Sequence, residues 1–150
     1  MSNKSKYVLN LNGHQAEVLV RALDLYSRIG IAQFEEILDV YDRHNKRSLT
    51  PVAQTMAARR ALVEAKMSMT GYGPNAGHSI MSPDVNDEFR VAYDIQQVVR
   101  HRLAWARDPR GSLRVDFDTP HQTSTEPLPG VQSNTSQEDI DARPGGDPRG

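Results

Sequence analysis

Residues 82–107 read SPDVNDEFRVAYDIQQVVRHRLAWAR, a stretch with the pattern of a long amphipathic helix. Ser82, Pro83 and Asp84 are typical of a helix start, because they supply a capping side chain, a proline for the first turn and an acid that complements the helix dipole. Apolar residues then recur at helical spacing, at Val85, Phe89, Ala92, Ile95, Val99 and Leu103. We therefore predict that the longest helix begins at Ser82, ends near Arg107 and is the central packing element.

Three shorter helices are predicted on the N-terminal side of this stretch. Helical spacing of apolar residues from His14 predicts the first helix, with Asn12 or Gly13 near its cap and Gly30 as its terminator. The same spacing over 31–41 predicts a second helix or a kinked continuation of the first. Pro51 favours the start of a third helix that runs to about Met67. We expect this third helix to bury Val52, Met56, Val63 and Met67.

Two short segments alternate apolar and polar residues, as a half-buried strand does. They are Tyr7–Leu11 and Leu113–Phe117, and the second follows Asp108–Gly111, which fits a type I turn. We predict that the two segments pair as an antiparallel ribbon. The expected fold class is therefore α+β, helix-dominated, with about four helices and a two-stranded antiparallel ribbon.

The composition limits the domain organisation and the class of protein. A chain of 150 residues suits one domain, which we place at 1–128, and residues 129–150 read as a disordered acidic tail. The net charge of −1 disfavours a nucleic-acid-coating protein. Because there is no cysteine, disulfides, thiolate zinc sites and cysteine nucleophiles are excluded. No apolar run is long enough to span a membrane, so we expect a cytoplasmic location.

The stretch MTGYGPNAGHSIMSPD at 69–84 is long for a helix–helix connection. Its glycines would let the backbone approach a ligand closely, and the following helix start would favour an anion. The side chains predicted to bind a ligand in this loop are Tyr72, Asn75, His78 and Ser79. The alternative is a structural loop that packs on its own tyrosine and proline.

One flank of the longest helix carries Arg90, Tyr93, Gln97 and Arg100 at steps of three or four residues. Two guanidinium groups and a tyrosine suit a phosphorylated ligand with a base, since arginine clamps phosphate and aromatic rings stack. The alternative is a solvated face on which Arg90 pairs with Asp94 at the i+4 position.

Near the end of the same helix, Arg102 and Trp105 are candidates for a subunit interface, where arginine and tryptophan are enriched. Burial of Trp105 in the core is the alternative. The five histidines lack a metal-ligand spacing, so no metal site is expected from them. Asp116 and Asp118 share one face of the predicted strand, which suits either a divalent cation or plain exposure to solvent.

Three segments carry a resemblance to a known family: RALDLYSRIG at 21–30, VVRHRLAWARDPRG at 98–111 and VDFDTP at 115–120. Together they resemble a family of small uncharacterised proteins of tailed bacteriophages, over most of residues 7–128. The resemblance names no activity. It implies a phage accessory protein that binds a host component, a group that includes anti-defence proteins which sequester nucleotide immune signals. Such proteins are similar in size, in cytosolic character and in oligomerisation.

The sequence as a whole favours binding without catalysis, with no catalytic residue and no cofactor. We expect a homo-oligomeric phage protein that captures an anionic, nucleotide-like small molecule through the loop and the helix flank. One alternative is a protein-interaction module that inhibits a host enzyme through the helix surface. A second alternative is a metal-dependent phosphoester hydrolase that uses Asp116 and Asp118. No membrane partner is expected, and nucleic acid is not the favoured partner.

Overall fold

A computed structural model of the chain describes residues 5–44 and 52–133. These residues form four α-helices, with bounds α1 Gly13–Gly30, α2 Glu36–His44, α3 Val52–Thr70 and α4 Asp87–Arg107. One turn of 3-10 helix follows at Val115–Phe117. The described residues contain no strand. The predicted α+β class is therefore wrong, and the described chain is helical.

The predicted ribbon fails in both of its segments. Tyr7–Leu11 has no strand partner, and its Tyr7 side chain is 86% exposed. Leu113 is fully exposed, and Val115–Phe117 turns as a 3-10 helix whose Phe117 ring lies 5.2 Å from that of Trp105. A period-two pattern indicates which side chains share a face, but it does not supply a pairing partner, and two strands alone are marginal. Contact between Phe117 and α4 replaces the ribbon.

The α1–α4 pair is the largest helix contact of the structure. The helices run antiparallel, since Arg107 Nη2 lies 3.0 Å from Glu17 Oε1 at one end and Tyr26 bonds Glu88 at the other. Asn12 caps α1 in a reciprocal capping box with Gln15, as the Asn12-Gly13 signal indicates. The longest predicted helix is therefore confirmed as the centre of the fold.

Small side chains dominate the buried core. Its apolar members are Ala32, Val85, Ala92, Val99 and Ala104. The helix α1 ends at Gly30, as the sequence predicts. Packing against Phe89 explains why this residue is a glycine. A Cβ atom at this position would lie 2.6 Å from Cβ of Phe89 and overlap its ring. Glycine at this position therefore lets α1 approach α4 closely.

The start of α4 is displaced from its predicted position. Asn86 is the cap, and its side chain accepts a hydrogen bond from Glu88 N. Ser82 instead forms a turn, in which its carbonyl accepts a hydrogen bond from Val85 N at 3.1 Å. Two Ser/Asn capping signals lie four residues apart, and the structure uses the second.

The α3 helix contacts little besides α2 and its own connecting loop. Met56 is 58% exposed and Met67 is 40% exposed, so the prediction that α3 buries them is wrong, as it is for Val52. The buried residue of α3 is Lys66, whose ammonium donates to Glu35 at 2.8 Å and to the Pro74 carbonyl at 2.6 Å. This buried cation anchors α3 to the segments on either side of it.

No helix within residues 5–44 and 52–133 is long and apolar enough to cross a membrane. The predicted tail at 129–150 lies outside the described residues from 134 onward. The described segment before it, Thr123–Thr125, lies along α4. The domain division at 128 stays a prediction.

Candidate functional site

A cleft of about 180 Å³ opens between the first half of α1 and the last half of α4. Its charged lining comes from Glu17 and Arg21 on α1, Arg100 and Arg107 on α4, and Asp116 on the 3-10 helix. Glu17 and Arg21 are four residues apart and share one face of α1. Asp116 reaches the cleft because contact between Phe117 and Trp105 holds the 3-10 turn against α4. Three separate elements thus position the charges.

Guanidinium groups outnumber carboxylates in this cleft. Three arginines face two acids, which leaves a formal charge of +1. The contact of Arg107 with Glu17 is short, but Arg21 lies 3.9 Å from Glu17 and Arg100 lies 3.6 Å from Asp116. Both longer distances exceed those of a charge-assisted hydrogen bond. The pairing is therefore loose, and the guanidinium groups retain capacity for an anion.

Arg100 is the most enclosed arginine of the cleft. Its side chain is less exposed than those of Arg21 and Arg107. Its Nε is buried, lies 3.6 Å from Asp116 Oδ1 and makes no hydrogen bond within the described residues. Buried donors normally find a partner, so an unpaired one at a cleft marks a position that a ligand oxygen can fill. Of the residues predicted to bind a ligand, Arg100 is the one that lines this cleft.

The loop residues predicted to bind a ligand lie together in the α3–α4 connection. Tyr72 and His78 contact edge to face with ring centroids 4.7 Å apart, and Ser79 Oγ accepts a hydrogen bond from Met81 N. Asn75 is exposed in a turn. His78 N also donates to the Ile31 carbonyl at 3.1 Å, so the loop is fixed to the end of α1. The loop is thus built largely from contacts with its own chain.

Arg90 lies beside the loop, as predicted, but it binds loop backbone. Its Nε donates to the Ile80 carbonyl at 3.0 Å, and its Nη2 donates to the Ser82 carbonyl. Arg90 and Arg100 are ten residues apart on α4, which separates them by about 15 Å along the axis. One phosphate group cannot contact both. The structure therefore brings Arg90 to the loop and Arg100 to the cleft.

Tyr93 is half-buried and lies near Arg28 of α1. Burial favours the neutral form of Arg28, but the hydrogen bond and charge of Asp24, with Glu36 and Tyr93, outweigh it and raise the Arg28 pKa. Arg28 Nε donates to Asp24 Oδ2 at 2.8 Å. Tyr93 is thus close to a cation that already has acidic partners, and it is separate from the cleft.

The N-terminus of α4 carries acids at the positions where an anion would bind. Asp87 and Glu88 occupy the first turn. Side-chain and backbone hydrogen bonds from Thr125 lower the pKa of Asp87, which keeps this carboxylate ionised. Two carboxylates repel a phosphate from these N–H groups. The helix start does not support an anion site beside the loop.

The predicted interface residues lie on the side of α4 near its C-terminus. Arg102 is exposed. Trp105 is 39% exposed, contacts Phe117, and lies against Gly111, where a Cβ would be 2.9 Å from its ring. Gly111 has a φ of 74°, which suits glycine. Trp105 is therefore neither fully buried nor free, and its role at an interface stays a prediction.

The sequence reasoning missed the acceptor that holds the C-terminal segment. Asp94 is 2% exposed and accepts hydrogen bonds from the backbone N–H and hydroxyl groups of both Thr123 and Ser124. The Gln97 amide bonds the backbone of His121: its Nε2 donates to the carbonyl and its Oε1 accepts from the N–H. The Arg90–Asp94 pair, the alternative to ligand binding by Arg90, does not form within the described residues. Buried polar residues at 94, 96 and 97, inside an apolar stripe, were the available signal.

Asp116, one of the two aspartates considered as metal ligands, contacts two arginines. Asp116 lies between Arg100 and Arg114, at 3.6 Å and 3.7 Å. Within the described ranges, no group of three or more His, Asp or Glu side chains is placed to hold a metal ion. Asp116 instead acts as the counter-ion of two arginines.

Comparison with known proteins finds no matching family model, no matching curated protein and no matching solved structure. Any functional assignment therefore depends on the geometry of the chain itself.

Proposed function

We propose that this protein binds a small phosphorylated ligand, without catalysis, in the arginine-lined cleft between α1 and α4. The observation that supports this proposal is the excess of guanidinium groups around Arg100, whose buried Nε lacks a hydrogen-bond partner. A phosphate oxygen that displaces the Asp116 carboxylate from Arg100 would give this donor a closer partner. The same phosphate would improve on the long contacts that Arg100 and Arg21 make with carboxylates.

The size of the cleft limits how the ligand binds. Pockets that enclose a drug-sized molecule have roughly 300–1,000 Å³, which is more than this cleft offers. A phosphate group fits inside, and the rest of a nucleotide-like ligand lies on the open side. The phage resemblance makes nucleotide immune signals the first ligand class to test, and the anti-defence role stays a prediction.

Isothermal titration calorimetry with pyrophosphate, ADP and a cyclic dinucleotide tests this proposal. The variant Arg100→Gln removes one charge and the unpaired Nε donor. Loss of charge-assisted hydrogen bonds should weaken binding about tenfold to hundredfold. Arg110→Gln is the matched control, because Arg110 is 91% exposed and lies outside the cleft.

Two results would contradict the proposal. One is a wild-type protein that binds none of the three ligands. The other is an Arg100→Gln variant that binds as tightly as the wild type and the Arg110→Gln control.

A second candidate function is a protein-interaction module, as an inhibitor of a host enzyme would be. The specific observation is the N-terminal segment, where Tyr7, Val8 and Leu9 are largely exposed in a chain with a small core. Exposed apolar residues in a row are typical of protein-binding surfaces. A purified partner bound at fixed stoichiometry, and released by Tyr7→Ser/Leu9→Ser, would support this function and leave the cleft as structure.

A further inference from the structure

One flank of α3 carries apolar and charged side chains that are exposed, apart from one that is half-buried. Its members are Met56, Arg60, Val63, Glu64 and Met67, and they recur at steps of three or four residues. Such steps place residues in one stripe along a helix. Lys66 and the pair Arg59–Asp39 face the rest of the chain, so the flank lies beside the inward face. Four of the five members line a shallow apolar hollow.

The two charges of this flank are unpaired. Arg60 and Glu64 are four residues apart on α3, yet neither forms an ion pair within residues 5–44 and 52–133. Most other charged residues on the helices have a partner, such as Arg59 with Asp39 at 2.6 Å. Two opposite charges on one stripe form a self-complementary pattern when the helix is reversed. That pattern points to a second copy of the same helix.

We propose that α3 pairs antiparallel with α3 of a second copy of this chain, about a two-fold axis near Ala61 and Leu62. In an antiparallel pair, facing positions have a constant sum. A sum near 123 or 124 places Met56 opposite the second copy's Met67, and Arg60 opposite the second copy's Glu64. The two-fold axis repeats both contacts, so both methionines and both charges of the flank gain a partner of suitable chemistry.

The outward surface of α3 allows this approach. Ala53, Ala57, Ala61 and Ala65 recur every fourth residue beside the flank, and all are exposed. Small side chains permit two helix axes to lie close together, and the methionines at either end adapt to an irregular hollow. The contact from Met56 to Met67 is about 16 Å long. This proposal is independent of ligand binding at the α1–α4 cleft.

Charge reversal tests the register through the mass in solution, measured by sedimentation equilibrium. The wild type should be a dimer or an even multiple of one. Arg60→Glu and Glu64→Arg should each halve the mass, because each places like charges opposite one another. The double variant R60E/E64R should restore the original mass, since the pairs re-form with reversed sign. Arg110→Glu, far from α3, should change nothing.

A monomeric wild type, or single variants that keep the wild-type mass, would overturn the proposal. Circular dichroism of each single variant should accompany the mass measurement, because like charges four residues apart also weaken a helix slightly. If a single variant loses helix content, cross-linking decides the question instead.

Cross-linking tests the direction of the pairing, and the absence of native cysteines makes it selective. The double variant Met56→Cys/Met67→Cys should form a disulfide-linked dimer on oxidation. Neither single variant should do so, because identical positions lie about 16 Å apart along the pair. The two positions are equally far apart within one chain, so an internal disulfide cannot compete. Dimers from the single variants would indicate parallel pairing, and no dimer from any variant would refute the contact.

Discussion

The helices α1, α3 and α4 have similar lengths, yet different contacts stabilise the α1–α4 pair and α3. The α1–α4 pair has a close approach at Gly30, buried Ser27, and the segment around Thr123 bonded along its surface. The α3 helix has one buried side chain, Lys66, and exposes methionines and alanines. The α1–α4 pair is completed by its own chain. In α3, by contrast, one flank has no partner within the described chain, and this flank is the surface for which a second copy is proposed.

Intrinsic propensity explains why α3 is helical with so little packing. Alanine is the best helix former, and alanine, methionine, leucine, glutamate, lysine and arginine make up most of Val52–Thr70. Its 19 residues also exceed the length at which isolated helices become marginal. Tertiary contact orients such a helix more than it forms it. In α4, by contrast, buried Asp94 and Gln97 form hydrogen bonds with the distant segment at 121–124.

The first prediction concerns the hydrogen bonds that fix the C-terminal segment to α4, and its effect on stability should be the largest. Asp94→Asn keeps the shape but places an amide N–H₂ group against the donors of Thr123 and Ser124. Losing charged hydrogen bonds and leaving a buried donor unpaired should lower the free energy of unfolding by about 3 kcal/mol, measured by urea denaturation. The exposed Asp84→Asn is the control and should be neutral. Equal stability of both variants would mean that the C-terminal segment does not contribute to the fold.

A smaller effect is expected at the close approach of α1 and α4. Gly30→Ala introduces a methyl group that overlaps Phe89, so the helices must separate or the ring must move. Overpacking of this kind should cost about 1–3 kcal/mol. Gly13→Ala is the matched control, because nothing lies within 4 Å of its Cβ position. Thermal unfolding should show a lower midpoint for Gly30→Ala than for the control, and equal midpoints would contradict the packing role of Gly30.

The smallest effect concerns the anchor of α3 and depends on pH. Burial favours the neutral form of Glu35, but the Lys66 hydrogen bond and charge outweigh it and lower the Glu35 pKa. A lowered folded pKa adds stability above the ordinary value of about 4.5, and that stability is lost as the pH falls below it. The contribution should be about 1.5 kcal/mol at pH 7.

Urea denaturation of the wild type and Lys66→Met, at pH 7 and at pH 3, measures this contribution. Lys66→Met should lower stability at pH 7 and should flatten the fall in stability between the two pH values. The Asp87–Thr125 contact on α4 serves as the control, because the pKa of Asp87 is also lowered, but by hydrogen bonds from Thr125. Thr125→Val should leave the part of the pH dependence that belongs to Glu35 unchanged. An unaltered pH profile in Lys66→Met would show that the anchor does not act through this ion pair.

The sequence predicted the helices better than it predicted their surroundings. Helical spacing and the signals at Asn12, Gly30 and Arg107 located α1 and α4 to within a few residues, because local capping and amphipathic periodicity act within a helix. The ribbon was wrong, since pairing of Tyr7–Leu11 with Leu113–Phe117 is a long-range choice that alternation cannot decide. Burial of Met56 and Met67 was wrong for a related reason: an apolar face needs a partner, and within the described chain none packs there.

The candidate site also has a part that was predicted from the sequence and a part that was not. Arg100 was predicted from its spacing on α4, whereas Glu17, Arg21 and Arg107 join it only because α1 and α4 lie antiparallel. Arg90 was predicted beside the loop and lies there, but its bonds to carbonyls depend on the path of the loop backbone. Spacing along one helix is a local property. The convergence of charges from α1, α4 and the 3-10 helix is not.

The amino-acid sequence was enough to predict the four α-helices of the described residues, the central place of α4 and Arg100 as a candidate ligand-binding residue. These follow from capping, propensity and periodicity, which act over a few residues. The tertiary structure alone decided that the alternating segments do not pair, that Asp94 binds the segment at Thr123, and that three arginines meet at one cleft. Those outcomes depend on which distant groups satisfy buried donors, acceptors and apolar surface, a competition that the whole chain settles at once.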